Sequence, residues 1–142
     1  MSDQVLQLGT TNRRLNAQAI TDGVPTPCPL RPGLTVSVLP AAMFNPRYRK
    51  ALQTRIERMV AENGDNGEPN RYQDPGFVAD ALVADMQGIR GADGSEVAYT
   101  EEIGQQVLSD PGNADVLEWV ANQAMDFGHF YTAQVEEDEK NS

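Results

Sequence analysis

A chain of 142 residues with a net charge of -10 and one cysteine is sized for a single domain and cannot build a disulfide framework. The acidic total argues against a dedicated nucleic-acid binder. No apolar run approaches the roughly 18 residues that span a bilayer, and Met1-Ser2-Asp3-Gln4 lacks the basic-then-apolar layout of a signal peptide, so the expected location is the cytosol in which the chain is made.

The charge is polarised along the chain. Residues 1–61 carry eight Lys/Arg against three Asp/Glu, a net of +5. Residues 62–142 carry three against eighteen, a net of -15. Such a chain is suited to head-to-tail contact with its own copies, or to a basic partner for the acidic half. The plainer reading is charge that keeps the protein dissolved.

Residues 1–33 read as an irregular arm, rich in Pro and Gly. Pro25, Pro27 and Pro29 favour extended backbone, because proline fixes φ and has no N–H. Residues 34–39, Leu-Thr-Val-Ser-Val-Leu, alternate apolar and small polar side chains and predict a short strand ended by Pro40.

Asn45-Pro46 then opens a helix to about Ala61, with Asn as N-cap and Pro at the first helical position. Its apolar stripe is Tyr48, Leu52, Ile56 and Met59 or Val60. Residues 62–73 read as a polar loop. Asp74-Pro75 repeats the start signal for a second helix over about 75–87, carrying Phe77, Val78, Ala81 and Leu82. Asp93-Gly94, with Ile89 before and Val97-Ala98-Tyr99 after, predicts a small β-turn or hairpin. Thr100 caps a third helix over 101–109, with Glu101 and Glu102 in its first turn. Asp110-Pro111 starts a fourth, expected to be the longest and to reach about Val135 on a stripe of Val116 or Leu117, Val120 or Ala121, Ala124, Phe127 or Gly128, and Tyr131. Residues 136–142, Glu-Glu-Asp-Glu-Lys-Asn-Ser, form an acidic tail. The expected fold is therefore mainly α, a helical domain over 34–135 between an N-terminal arm and that tail.

Residues able to carry chemistry are sparse. Cys28 lies in the proline-rich arm, about a hundred residues from the only histidine, His129, which reads as a helix side chain beside Phe127 and Phe130. One Cys and one His cannot make a structural zinc site. Asp93-Gly94 and Asp65-Asn66-Gly67 are fragments that do not continue into a calcium loop. Gly88-Ile89-Arg90-Gly91 lacks the strand-turn-helix setting of a phosphate loop. Neither catalysis nor a cofactor or metal is expected. What remains points to protein contact. Arg47, Lys50 and Arg58 share a helix face, with Arg49 and Arg55 nearby, as a docking face for an acidic partner or as a solvated face. Trp119, Phe127, Phe130 and Tyr131 cannot all face one core on a single helix, so part of this set is a partner-binding candidate.

The order of motifs over about residues 36–142 resembles the tail assembly chaperones of long-tailed phages. Asn45-Pro46-Arg47-Tyr48-Arg49-Lys50-Ala51-Leu52 looks like the helix start of that family. The turn Gly88 to Tyr99-Thr100, the pair Asp110-Pro111, the segment Val116-Leu117-Glu118-Trp119-Val120, an aromatic at Phe130 and the acidic Lys-Asn ending follow in the family's order. Ala98 stands where the family commonly has proline, and Met86-Gln87-Gly88 lacks its tryptophan. The resemblance implies a non-enzymatic protein of the host cytoplasm. Its partners would be the tape measure protein, which it keeps soluble, and the tail tube protein, which it helps recruit, with no role for membrane or nucleic acid. The rival expectations are a structural tail or virion component, and an acidic DNA mimic that blocks a host defence system.

Overall fold

The computed structural model describes residues 15–63, 70–128 and 130. It is mainly α, with a small antiparallel sheet set against the helices. In chain order the elements are α1 (Ala17–Asp22), β1 (Val24–Pro27), β2 (Thr35–Val38), α2 (Pro46–Asn63), a 3-10 turn (Arg71–Gln73), α3 (Pro75–Leu82), β3 (Val83–Gln87), α4 (Glu101–Ser109), a second 3-10 turn (Pro111–Asn113) and α5 (Ala114–Met125).

The strongest start signals hold. The Asn45 carboxamide oxygen accepts from the Arg47 N–H at 3.1 Å, opening α2 at Pro46. Asp74 accepts from the N–H groups of Gly76 and Phe77 at the start of α3. Thr100 caps α4 through the Ile103 N–H, and α4 spans the predicted residues. Each cap supplies an acceptor to a backbone donor that the helix itself leaves open.

Three expectations are revised. Residues 15–33 are not irregular throughout. Asn16 caps α1 through Gln18 and Ala19, and the chain continues into β1, which pairs with β2. The proline spacing suits this edge strand. The Cys28 N–H bonds to the Leu34 carbonyl, so alternate residues face β2, and Pro25 and Pro27 fall at the positions whose nitrogen faces the open edge.

Next, the helix predicted over 75–87 stops at Leu82, and residues 83–87 form β3. A register shift at Ser37/Val38 pairs Val38 with Val83 and Ser37 with Asp85, leaving Ala84 as an extra residue. The bulge puts Val83 and Met86 both in the core at a spacing of three, which in sequence imitates a helix.

Finally, α5 ends at Met125 rather than continuing to Val135. Asp126 leaves the helical region at φ -86°, ψ 88°. The longest described helix is therefore α2.

α3 is the hub, packed against α2, α4 and α5. Val36, Val78, Ala79, Ala81, Leu82, Val83, Val120, Ala124 and Phe130 are fully enclosed. Each such large side chain contributes about 1.5–3 kcal/mol through water exclusion. The Leu39 N–H donates to the Leu82 carbonyl and the Ala41 N–H to the Ala124 carbonyl, so the exit of β2 is tied to α3 and α5. The small turn is present as an antiparallel bridge between Arg90 and Glu96, with Gly94 at φ 85°.

Candidate protein-binding surface

α2 is where the sequence pattern and the observed packing part most clearly. Its buried residues are Tyr48, Ala51 and Arg55. Arg55 lies inside because Asp74 binds its guanidinium, with the Phe77 ring 6.0 Å from the charge centre. A buried guanidinium needs both an opposite charge and hydrogen bonds to offset lost hydration. Asp74 supplies them while also capping α3, so one carboxylate joins α2 to α3.

The apolar stripe read as the core face is displaced by roughly a quarter turn from the face that α3 covers. Leu52 and Met59 are half-buried, whereas Ile56 is 45% and Val60 58% exposed. α2 thus presents a greasy edge to solvent.

The basic residues of α2 look toward the chain's own acids. Lys50 and Arg58 are exposed, and Arg58 stands 3.8 Å from Asp74. Arg47 is half-buried and reaches the Ala79 carbonyl at 3.4 Å. Thr54, Arg55, Arg58, Asp74, Asp80 and Gln105 line a cavity of about 220 Å³ between α2, α3 and α4. At its α4 side the neighbouring Asp80 carboxyl raises the affinity of Glu101 for its proton, while the positive charges of Arg47 and Lys50 act the other way. The basic set is therefore answered in part within the molecule, and it is less open to an acidic partner than the sequence implied.

The aromatic set divides. Phe130 is completely buried, its carbonyl accepting from the Asn16 N–H. It is a core residue and not a contact for a partner, because the break at Asp126 redirects the chain inward. Trp119 is half-buried against the core. Phe127 is 38% exposed and meets Phe44 edge-on at 6.1 Å. Tyr131 and His129 lie outside the described residues.

One surface escaped the sequence reading. One side of α5 and residues Asn70–Gln73 enclose a groove of about 530 Å³ whose apolar lining is Tyr72, Ala114, Leu117, Ala121 and Met125, with Leu117 and Ala121 nearly buried at its floor. Met125 is 44% exposed, and near the start of α2 Met43 is 54% exposed. Residues 101–128, which include α4 and α5, hold six Asp/Glu and no Lys/Arg. Arg31 crosses to this surface and binds Asp115 at 3.0 Å, holding that carboxyl below its ordinary range. The α5 groove was hidden because its floor comes from the 3-10 turn, which follows a loop with no apolar period.

Cys28 is buried and unoxidised, and no described helix is long and apolar enough to cross a membrane. Among the described residues no group of three or more His, Cys, Asp or Glu is placed to hold a metal ion. The family model described as YdaY prophage protein matches residues 43–141. No curated protein and no solved structure matches the chain.

Proposed function

Because the chain belongs to the YdaY prophage protein family, we propose that it is a phage morphogenesis factor, a tail assembly chaperone acting by protein contact rather than catalysis. The observation that carries this reading is the coexistence of open apolar side chains, at Met43, Ile56, Val60, Met125 and Phe127, with a net charge of -10. A chaperone for a long helical client needs both: apolar surface to cover the client's stripes, and charge to keep the covered complex dissolved. The client is the tape measure protein, met in the host cytoplasm, and the tail tube protein is the second partner. The resemblance of residues 36–142 to tail assembly chaperones supports these assignments.

The test is co-expression with the tape measure protein from the same prophage. Co-purification of the two, with a larger soluble fraction of the client, is the expected result. A client that remains insoluble and does not co-purify removes the reading. Recovery of the protein from purified particles would instead favour a structural role.

A further inference from the structure

We infer that copies of this chain associate head to tail, the outer stripe of α2 in one copy entering the groove between α5 and Asn70–Gln73 in the next. The inference goes beyond the chaperone reading: it gives Ile56, Val60 and Met125 to contact between copies and leaves Met43 and Phe127 open to a client.

Three observations carry it. The first is apolar complementarity. Leu52, Ile56 and Val60 recur every four residues along α2, and the last two are open to solvent. The groove offers exposed Met125 above a floor of nearly buried Leu117 and Ala121, the three at the same four-residue interval along α5, with Tyr72 on the other side. The second is length. The stripe from Leu52 to Val60 covers about 12 Å and the groove wall from Leu117 to Met125 the same, at 1.5 Å per residue. The third is charge. Arg49, Lys50 and Arg58 are exposed on α2, whereas the one charged residue lining the groove is an acid, Glu118. A second copy supplies both an apolar ridge and a positive charge for Glu118.

The stripe and groove are different patches, and no α2 residue lines the groove. The contact is therefore heterologous: each copy can donate its α2 and receive another's at the same time. Such contacts propagate into open chains unless their rotation closes a ring. Added salt weakens the charge component, most for groups exposed to solvent.

The test is sedimentation velocity of the full chain over a concentration range. Expected is a size that grows with concentration and falls at high salt. Ile56→Glu blocks the donor face and Met125→Glu the acceptor. Both residues are exposed, and each variant alone should weaken association at least about tenfold. Mixed in equal amounts, they keep one intact stripe and one intact groove, so they form a dimer and stop. Val60→Glu and Glu118→Arg repeat the experiment, should either first variant lose its circular dichroism. Wild type that stays monomeric at every concentration overturns the inference. So does a mixture that stays monomeric, or a Met125→Glu variant that associates as well as wild type. Client co-purification is read separately, so failure here leaves the chaperone proposal standing.

Discussion

Asn45 is almost wholly buried, and its side chain makes three hydrogen bonds. Nδ2 donates to the Pro40 carbonyl at 2.8 Å and to the Ala81 carbonyl at 3.0 Å, while Oδ1 accepts from the Arg47 N–H. One amide thus fastens the exit of β2, the start of α2 and the end of α3. Asn45→Asp keeps the size and the cap but sets a carboxylate oxygen against two carbonyl oxygens. The expected loss is about 3 kcal/mol, since a donor is replaced by a buried charge with no donor facing it. Chemical denaturation checks this, and an unchanged midpoint would show that the two carbonyl contacts are dispensable. Tyr99 and Gly104 form a second close pair. A Cβ at position 104 would lie 2.6 Å from the Tyr99 hydroxyl and 2.8 Å from its ring. Gly104→Ala therefore destabilises by about 1 kcal/mol or more, overcrowding outweighing the better helix propensity of alanine. The Tyr99 hydroxyl is buried without a hydrogen-bond partner among the described residues. Tyr99→Phe is expected to be neutral or stabilising alone, and to recover part of the Gly104→Ala loss when combined.

At the scale of elements, helix joints set stability and also decide what a sequence reveals. Asn45-Pro46, Asp74-Pro75 and Thr100 are local signals, because a cap and the donors it serves lie within three residues, and each starts its predicted helix. The β3 strand was not legible, since the bulge that makes it depends on a strand almost fifty residues earlier. The side taken by α2 was not legible either. Periodicity gives the apolar face of a helix, but here a partnered arginine, Arg55, draws the buried face toward Asp74 and leaves Ile56 and Val60 outside. The partner-facing set in the sequence included buried Phe130, because periodicity does not show the break at Asp126 that turns it inward, and left out exposed Met125. Asp74→Ala removes the α3 cap and takes a carboxylate from the buried Arg55 charge together. It is expected to cost about 3–5 kcal/mol, more than a cap alone. If Arg55→Met in the Asp74→Ala background restores stability, the loss of the Arg55–Asp74 pair was the larger part. The α3–α4 joint responds to pH. The Asp80 carboxyl raises the proton affinity of Glu101 in the folded chain. The folded state then binds more protons than the unfolded one across that range, and stability falls as pH rises through it. Glu101→Gln removes the repulsion, so its melting temperature should exceed wild type at neutral pH by a margin that shrinks as the acid range is entered. A constant margin would point to some other cause.

For the molecule as a whole, the decisive matter is how far the folded body extends toward the N-terminus. The family match begins at residue 43, yet the structure places residues 15–42 inside the fold. β1 covers one edge of β2 along four residue pairs. Ala19 and Cys28 are buried, and Asn16 bonds to Phe130, joining the two ends of the described chain. Residues 15–33 thus hold part of the core as well as a proline-bearing edge that discourages further strand pairing. Their removal would open the β2 edge beside Val36 and Val38. The lost ladder and buried contacts amount to at least about 2 kcal/mol. For a domain of this size that lowers the melting temperature by roughly 5–10 °C. The shortened chain should also aggregate on heating more readily than the full one, because an unpaired strand next to apolar side chains invites intermolecular pairing. Differential scanning calorimetry with light scattering reads both effects. If the shortened chain melts with the full-length midpoint and stays clear, the N-terminal stretch is an appendage to a core that begins at β2, and the sheet adds nothing through its first strand.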